Sequence, residues 1–267
     1  MPLAVCATPI GNLDDVTLRV LRELREADVV LAEDTRHTRG LLARHGIEAR
    51  LVSYHEHNEA RRTAELLPRL EAGERVALVS DAGLPGISDP GTRLVAAALD
   101  AGVQVTVLPG PSAVETALVA SGLVGERYQF VGYLPRVERA LIELGEELSR
   151  WPWPVVAFES PQRLPRSLGV LARVMPQRPA AVGRELTKRF EEIARGSVAE
   201  LAQRFDEPVK GEITLVLGEA ARAAADDAAA VAAVAELVAA GAARRKAAEV
   251  IAALTGVARN RLYRRSL

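Results

Sequence analysis

Val79 to Gly91, which runs VSDAGLPGISDPG, sets two carboxylates among turn-forming residues directly after an apolar run. Asp81 and Asp89 make the stretch acidic, which disfavours a phosphate cradle and favours a ligand offering hydroxyls, an amine or a positive centre. Its Gly and Pro residues let the backbone bend repeatedly and approach a ligand closely. Glu33, Asp34, Arg36 and His37 form a second chemically capable group, with an ordinary helix start and solvated ion pair as the plainer reading. The third is Arg184 to Glu192, RELTKRFEE, where Lys188 is one of only 3 lysines against 31 arginines. Arginine does not titrate in the working range, so any lysine-based proton transfer must use Lys188, Lys210 or Lys246; a solvated run of mixed charge is the alternative. His55 and His57 flank Glu56, but a third ligand at suitable spacing is missing and no metal site is expected.

The elements that must position these groups follow from apolar patterning. Leu3 to Ala7, Val29 to Ala32, Arg50 to Ser53, Val76 to Val79 and Val103 to Leu108 are predicted strands. Helical spacing lies between them, from Asp14, after Glu33 to Thr38, from a cap at Asn58, and over Thr92 to Asp100. Strands alternating with helices imply a mainly parallel sheet covered on both faces. Four loops then share the carboxyl rim of that sheet: Thr8 to Asn12, Glu33 to Thr38, Ser80 to Pro90 and Pro109 to Ala113. Ligands of open α/β sheets bind at such a rim.

Pro109 to Ala113 reads as a hinge. Beyond it, strands are predicted at Gln129 to Val131, Pro154 to Phe158, Ala180 to Gly183, Glu192 to Arg195 and Ile213 to Leu217. Helices fall at Val137 to Ser149, Gln162 to Val174 and Val198 to Phe205. Adjacent strands without an intervening helix suggest a mixed sheet. The expected organisation is a first α/β domain over residues 1–110, a second over 111–219, and a helical basic tail over 220–267. Trp151 and Trp153, set between prolines, are expected to pack rather than to stack on bases.

The 267 residues are 49% apolar and 26% charged, with a formal net charge of -1. From Arg244 to Leu267 there are 7 bases and 1 acid, which leaves 27 bases against 34 acids in the rest of the chain. The net charge by itself points to no polyanionic partner, but the body is acidic and the tail basic. The single cysteine, Cys6, lies in the first apolar run and fits a reducing compartment as a buried small side chain. No basic leader precedes a signal-length apolar core, and no segment approaches a membrane span, so a cytoplasmic location is expected. No strand runs into Gly-x-Gly-x-x-Gly and no Walker loop is present, which argues against an ordinary Rossmann-type methyltransferase or dehydrogenase.

ATPIGNLDDVTLR, AEDTRHT, SDAG, ISDPG, LPGPSA, FESPQR, RELTKRFEE and KGE occur in that order along the chain. Together they resemble the small-subunit ribosomal RNA cytidine 2'-O-methyltransferases of the tetrapyrrole-methylase superfamily. Leu84 departs from the pattern, which usually has Thr after SDAG, and the lost hydroxyl bears on one local hydrogen bond. The resemblance implies a two-domain fold of the class III, tetrapyrrole-methylase type. It implies S-adenosylmethionine in the cleft between domains, a homodimer, and 2'-O-methylation of a cytidine in the decoding region of 16S rRNA in the small ribosomal subunit.

On this resemblance Thr8, Pro9, Ser80, Asp81, Ala82, Gly83, Ile87, Ser112 and Ala113 line the cofactor site, joined by Gly211, Glu212 and Ile213 from the second domain. Asp81 is expected to contact the cofactor, whereas Asp89 is expected to shape the turn or cap the next helix. Methyl transfer to a ribose oxygen needs a base or a charge that stabilises alkoxide; candidates are Glu33, Asp34, Glu159, Glu185 and Lys188. RNA contacts are expected from Arg36, His37, Arg163, Arg184, Arg189, Arg244, Arg245 and Lys246, and the tail resembles half of a helix-turn-helix. A tetrapyrrole C-methyltransferase and a non-enzymatic nucleic-acid-binding protein are the competing functions.

Overall fold

Unbroken apolar runs such as LAVC, VVLA and VALV suit strands buried on both faces, and that is what they form. In the computed structural model, which describes residues 2–87, 89–220 and 227–266, β1 (Leu3–Cys6), β2 (Val29–Ala32), β3 (Leu51–Ser53), β4 (Val76–Val79) and β5 (Val105–Leu108) build one parallel sheet in the order β3-β2-β4-β1-β5. Alternate residues of each strand serve opposite faces. Ala4, Cys6, Val30 and Ala32 pack with Val20, Leu24, Leu41 and Leu42 of α1 (Leu18–Glu26) and α2 (Thr35–Arg44). Leu3, Val5, Val29 and Leu31 pack on the other side with Leu66, Leu70 and Leu94 of α3 (Glu59–Glu71) and α4 (Thr92–Asp100). Burial in the first of these layers pushes the Cys6 thiol up to about 12, so it is an inert packing group.

Two helix starts differ from the sequence expectation. The first helix does not begin at Asp14: Leu13–Asp15 is a 3-10 turn, and α1 starts after Thr17, whose hydroxyl accepts from Val20 N at 3.2 Å. Asn58 occupies the position before α3 without capping it. Its side chain instead accepts from His55 N at 3.0 Å and donates to Ser53 O at 3.2 Å, locking the loop that leaves β3.

The second sheet runs β6-β7-β10-β8-β9, formed by β6 (Gln129–Tyr133), β7 (Val155–Glu159), β8 (Pro179–Arg184), β9 (Glu192–Ser197) and β10 (Ile213–Leu217). It is mixed, as expected: β6 is parallel to β7, while β10 is antiparallel to both β7 and β8. One face carries α6 (Glu138–Arg150), α7 (Leu164–Val174) and α8 (Val198–Arg204). The other face carries α5 (Ala113–Ser121), a helix at the place where the sequence suggested only a hinge. Its Val114, Ala117 and Leu118 pack with Val156, Ala181 and Val216 of the second sheet, and with Ile10 from the loop after β1.

The tail is α9 (Asp227–Ala239), α10 (Arg244–Thr255) and α11 (Arg259–Arg265), held by Val234, Ala248, Val257 and Leu262. Gly256 ends α10 in the left-handed conformation, at φ 71°. A helix thus follows the Gly256 turn as well as preceding it. The expected junction at 219/220 leads into residues 221–226, which lie outside the described residues. No helix among the described residues is long and apolar enough to cross a membrane.

Candidate active site

The loops after β1 and β4 are neighbours because those two strands are, and a short antiparallel bridge ties them together. Thr8 N donates to Gly83 O at 2.8 Å and Gly83 N to Thr8 O at 3.1 Å. The Thr8 hydroxyl donates to Ser80 O at 3.0 Å, and the Ser80 hydroxyl reaches Ala82 O at 3.3 Å. Thr8, Pro9 and Ser80 are buried and act behind the cavity wall, fixing the path of the loop. That path presents Ala82, Gly83, Ile87 and Asp89 to a cavity of ≈ 640 Å³ between the two sheets.

Ser112 and Ala113 at the start of α5 form another wall, and Gly211, Glu212 and Ile213 at the start of β10 face them. The floor is apolar, from Ile10, Val114, Phe158 and Leu186. Size, an apolar floor and a few polar groups at the lip are the properties of a small-molecule site.

Carboxylates dominate the polar lining. Asp89, expected to serve the turn, lines the cavity. The residue before α4 is Gly91, with no side-chain cap. Burial, with Glu33 adding, pushes the Asp89 carboxyl up to about 6; the Ser80 hydroxyl opposes this and Asp81 reinforces it. Asp81 does not line the cavity, and its Oδ1 accepts from Asp34 N at 3.0 Å. Asp89 thus borders the cavity, while Asp81 ties the loop after β4 to the start of α2. Glu33 sits behind them with its carboxyl raised, by burial first and then by Asp81.

Asp34 is the helix start that the plainer reading described. It caps α2 by accepting from Arg36 N at 2.8 Å, and it pairs with the Arg36 guanidinium at 2.7 Å, which holds its carboxyl far below the usual range. Arg36 and His37 are exposed on that helix turn.

Lys188 stands at the opposite lip. Its Nζ donates to Glu185 Oε1 at 2.9 Å and to Glu212 Oε2 at 3.0 Å. Burial pulls its pKa down, but the two carboxylates outweigh that and leave it raised. Lys188 is therefore a cation held between two carboxylates. Glu185 is held low by the same contact and by Glu212 N, so it too is committed to the clamp.

Glu159, 2% exposed, also lines the cavity and is held by Ser167 Oγ, by Arg163 and by Ser160 N at 2.6 Å. Arg163 and Arg184 are occupied inside the protein, the first with Glu159 and Leu134 O, the second with Glu192 at 2.8 Å. Arg189 is exposed, its guanidinium 5.5 Å from the Phe190 ring. Arg244, Arg245 and Lys246 form the first turn of α10, with Lys246 reaching Glu249 at 3.4 Å.

Sequence reasoning missed Tyr133 and Glu115. Tyr133 lines the cavity at the end of β6, and burial, then Asp89, Glu212 and Glu159, raise its phenol. Glu115 accepts from Ser112 Oγ and, at 2.7 Å, from Tyr128 OH. Its signal was acid three residues after a serine before an apolar run, the spacing of a helix first turn.

The cavity can hold a ligand with an apolar ring system, hydroxyls and a cationic end, with a separate cation, Lys188, at the far lip. Comparisons with known proteins agree with that chemistry. The family model for tetrapyrrole (corrin/porphyrin) methylases matches residues 2–202. The chain is similar to ribosomal RNA small subunit methyltransferase I of Mesorhizobium japonicum, at 46% identity over 270 residues, covering 99% of this chain and 91% of that protein. The protein of the same name from Thermotoga maritima is 43% identical over 216 residues, which cover 80% of this chain and 97% of the relative.

Among solved structures, the methyltransferase CobJ shares the fold at a TM-score of 0.63 with 21% identity, covering 82% of this chain and 94% of that one. A uroporphyrin-III C-methyltransferase from Thermus thermophilus, complexed with S-adenosylhomocysteine, does so at 0.57 with 23% identity, covering 82% and 98%. Shared architecture with the corrin and porphyrin enzymes, and far higher sequence identity to the ribosomal RNA enzymes, make this chain a member of the tetrapyrrole methylase family in its ribosomal RNA small subunit methyltransferase I branch.

Proposed function

We propose that the protein methylates the ribose 2'-oxygen of a cytidine in the decoding region of 16S rRNA, using S-adenosylmethionine. The substrate class rests on the relatives, similar over nearly the whole chain and named for small-subunit ribosomal RNA. The chemistry rests on one structural observation, a lysine that its two carboxylate partners keep protonated at the lip of a carboxylate-lined cleft.

The donor, when bound, supplies an electrophilic methyl group on a sulfonium. The residues present fit it: Ile10, Val114 and Phe158 offer an apolar bed for the adenine, and Asp89 offers a carboxylate to a cationic end. Glu212 and Ser112 supply hydrogen-bonding groups from opposite walls. Lys188 stabilises negative charge developing on the ribose oxygen, and a donor fixed before the reaction costs no reorganisation.

Arg36, His37 and Arg189 present exposed cations and donors to phosphate, and the first turn of α10 adds Arg244, Arg245 and Lys246. Function as a homodimer in the cytoplasm belongs to the same reading. β5 closes one edge of the first sheet with Val107 exposed, and α5 exposes Val119.

Mapping 2'-O-methyl groups by mass on small-subunit RNA from cells with and without the protein tests the proposal. One cytidine should lose its ribose methyl group; an unchanged RNA, with methylation of a tetrapyrrole instead, overturns it. Light scattering on the purified protein checks the dimer.

A further inference from the structure

The segment between β8 and β9 contains two non-glycine residues in the left-handed region, Glu185 at φ 52° and Thr187 at φ 64°. Such backbone is costly and persists only where the surroundings over-determine it. Here they do. Glu185 N donates to Glu212 O at 3.0 Å, Lys188 N to Glu185 O at 3.0 Å, and Thr187 N to Glu191 Oε2 at 2.6 Å.

The first domain grips the same segment. Asn12 N donates to Thr187 Oγ1 at 3.0 Å, and a Cβ on Gly11 would fall 2.5 Å from Lys188 Cγ and 2.8 Å from Leu186 O. Glycine at that position is what lets the segment seat against the loop after β1. From the other side a Cβ on Gly211, itself at φ 100°, would collide with Glu185 Cγ at 2.4 Å.

What this rigid segment holds out is Phe190, 68% exposed, with the Arg189 guanidinium beside its ring. Burying such a ring would be favourable, and the fold forgoes it. The segment borders the cleft, because Leu186 lines it and Lys188 binds Glu212, which also lines it.

We propose that Phe190, with Arg189, is a stacking platform for an unpaired base of the RNA substrate adjoining the cleft. An exposed ring on a pinned segment, next to a cation, fits the face of a nucleobase. Aromatic stacking accepts any base, and the adjacent guanidinium suits the phosphate that accompanies it. This inference rests on the RNA-methylating function proposed above and adds a residue that positions the RNA.

The test uses the full-length protein with Phe190→Ala, Phe190→Leu and Phe190→Trp. Methyl transfer is measured on unmodified small subunits, and binding on a single-stranded RNA carrying 2-aminopurine, whose fluorescence reports stacking without turnover. Phe190→Ala should raise KM for RNA about 5- to 100-fold and abolish the 2-aminopurine quench, with cofactor affinity by calorimetry unchanged. Phe190→Trp should restore both and Phe190→Leu neither.

Rescue by leucine equal to that by tryptophan, or an unchanged KM and quench in Phe190→Ala, overturns the platform. So does a fall in oligomeric mass of Phe190→Ala, which assigns the ring to contact between copies. A wild-type protein that quenches through Phe190 but methylates no RNA overturns the proposed function and leaves the platform standing.

Discussion

Replacing Asp89 with asparagine should make the free protein more stable and the cofactor complex weaker. Asp89 lies in a locally negative field with Glu33 and Asp81, and none of the ion pairs among the described residues involves these three. The rise from the ordinary 3.8 to about 6 corresponds to about 3 kcal/mol against the ionised form. Solvent at a partly exposed site reduces this to about 1–2 kcal/mol. A carboxyl whose pKa is raised by folding contributes stability that is complete below its unfolded pKa and is lost as pH climbs through the folded value. The stability gap between Asp89→Asn and the wild type should therefore open in favour of the variant by about 1–2 kcal/mol between pH 4 and pH 7. Urea denaturation across that range measures it.

Cofactor binding should move in the opposite direction. A cationic ligand end beside Asp89 restores the ionised form, so binding at pH 6 should release about half a proton from the wild type and almost none at pH 8. The variant should release none at either pH and bind about 5- to 30-fold more weakly at pH 8, the equivalent of the same 1–2 kcal/mol. Calorimetry in buffers of different ionisation enthalpy reads both quantities. Equal affinity of variant and wild type at pH 8, together with no proton release at pH 6, would falsify the placement of a cation at Asp89.

Lys188→Ala should lower turnover by about 10²- to 10³-fold while changing cofactor affinity little; equal losses, by methyl incorporation and calorimetry, contradict alkoxide stabilisation. Arg178, 4% exposed and with its pKa lowered to about 10 by burial, donates to the carbonyls of Leu148, Trp151, Trp153 and Gly218. Arg178→Met should cost about 3–5 kcal/mol, since those acceptors lose their donor; a loss under about 1 kcal/mol in denaturant titrations refutes the staple. Neutralising Arg244, Arg245 and Lys246 together should flatten the salt dependence of RNA binding by about 0.7 in slope for each phosphate that is no longer neutralised, and an unaltered slope shows that the first turn of α10 does not touch RNA.

The first sheet was readable because strands buried on both faces leave apolar runs with no polar interruption, and because turn residues mark each strand's carboxyl end. The site was readable only to the level of loops. Asp81 and Asp89 are eight positions apart in one turn-rich stretch, and which of them faces the cavity depends on the bridge that Thr8 makes to Gly83, across 75 residues of sequence. Helix α5 escaped because AVETALVAS is apolar on nearly every side; packed against the second sheet and the loop after β1, it has no broad polar face to give a period. Tyr133 escaped because Gly132, at φ 69°, shifts the register between Phe130 and Tyr133 and breaks the alternation that marks a strand.

The same interdomain packing decides where the chemistry can happen. Ile10, Val114 and Leu186 belong at once to the apolar cluster that joins the domains and to the floor of the cleft. Leu186 lies two residues before Lys188, in a segment pinned from the first domain by Asn12 and from the second by Glu212. Glu185 and Glu212 clamp the cation within the second domain, and the Asn12 contact adds the first domain's hold on the segment that carries it. Seating the two domains then sets the clamp and the Asp89 wall around one apolar floor. On the function proposed above, a methyl donor held against one wall would face the cation fixed at the other, and the ribose oxygen would enter the gap between them.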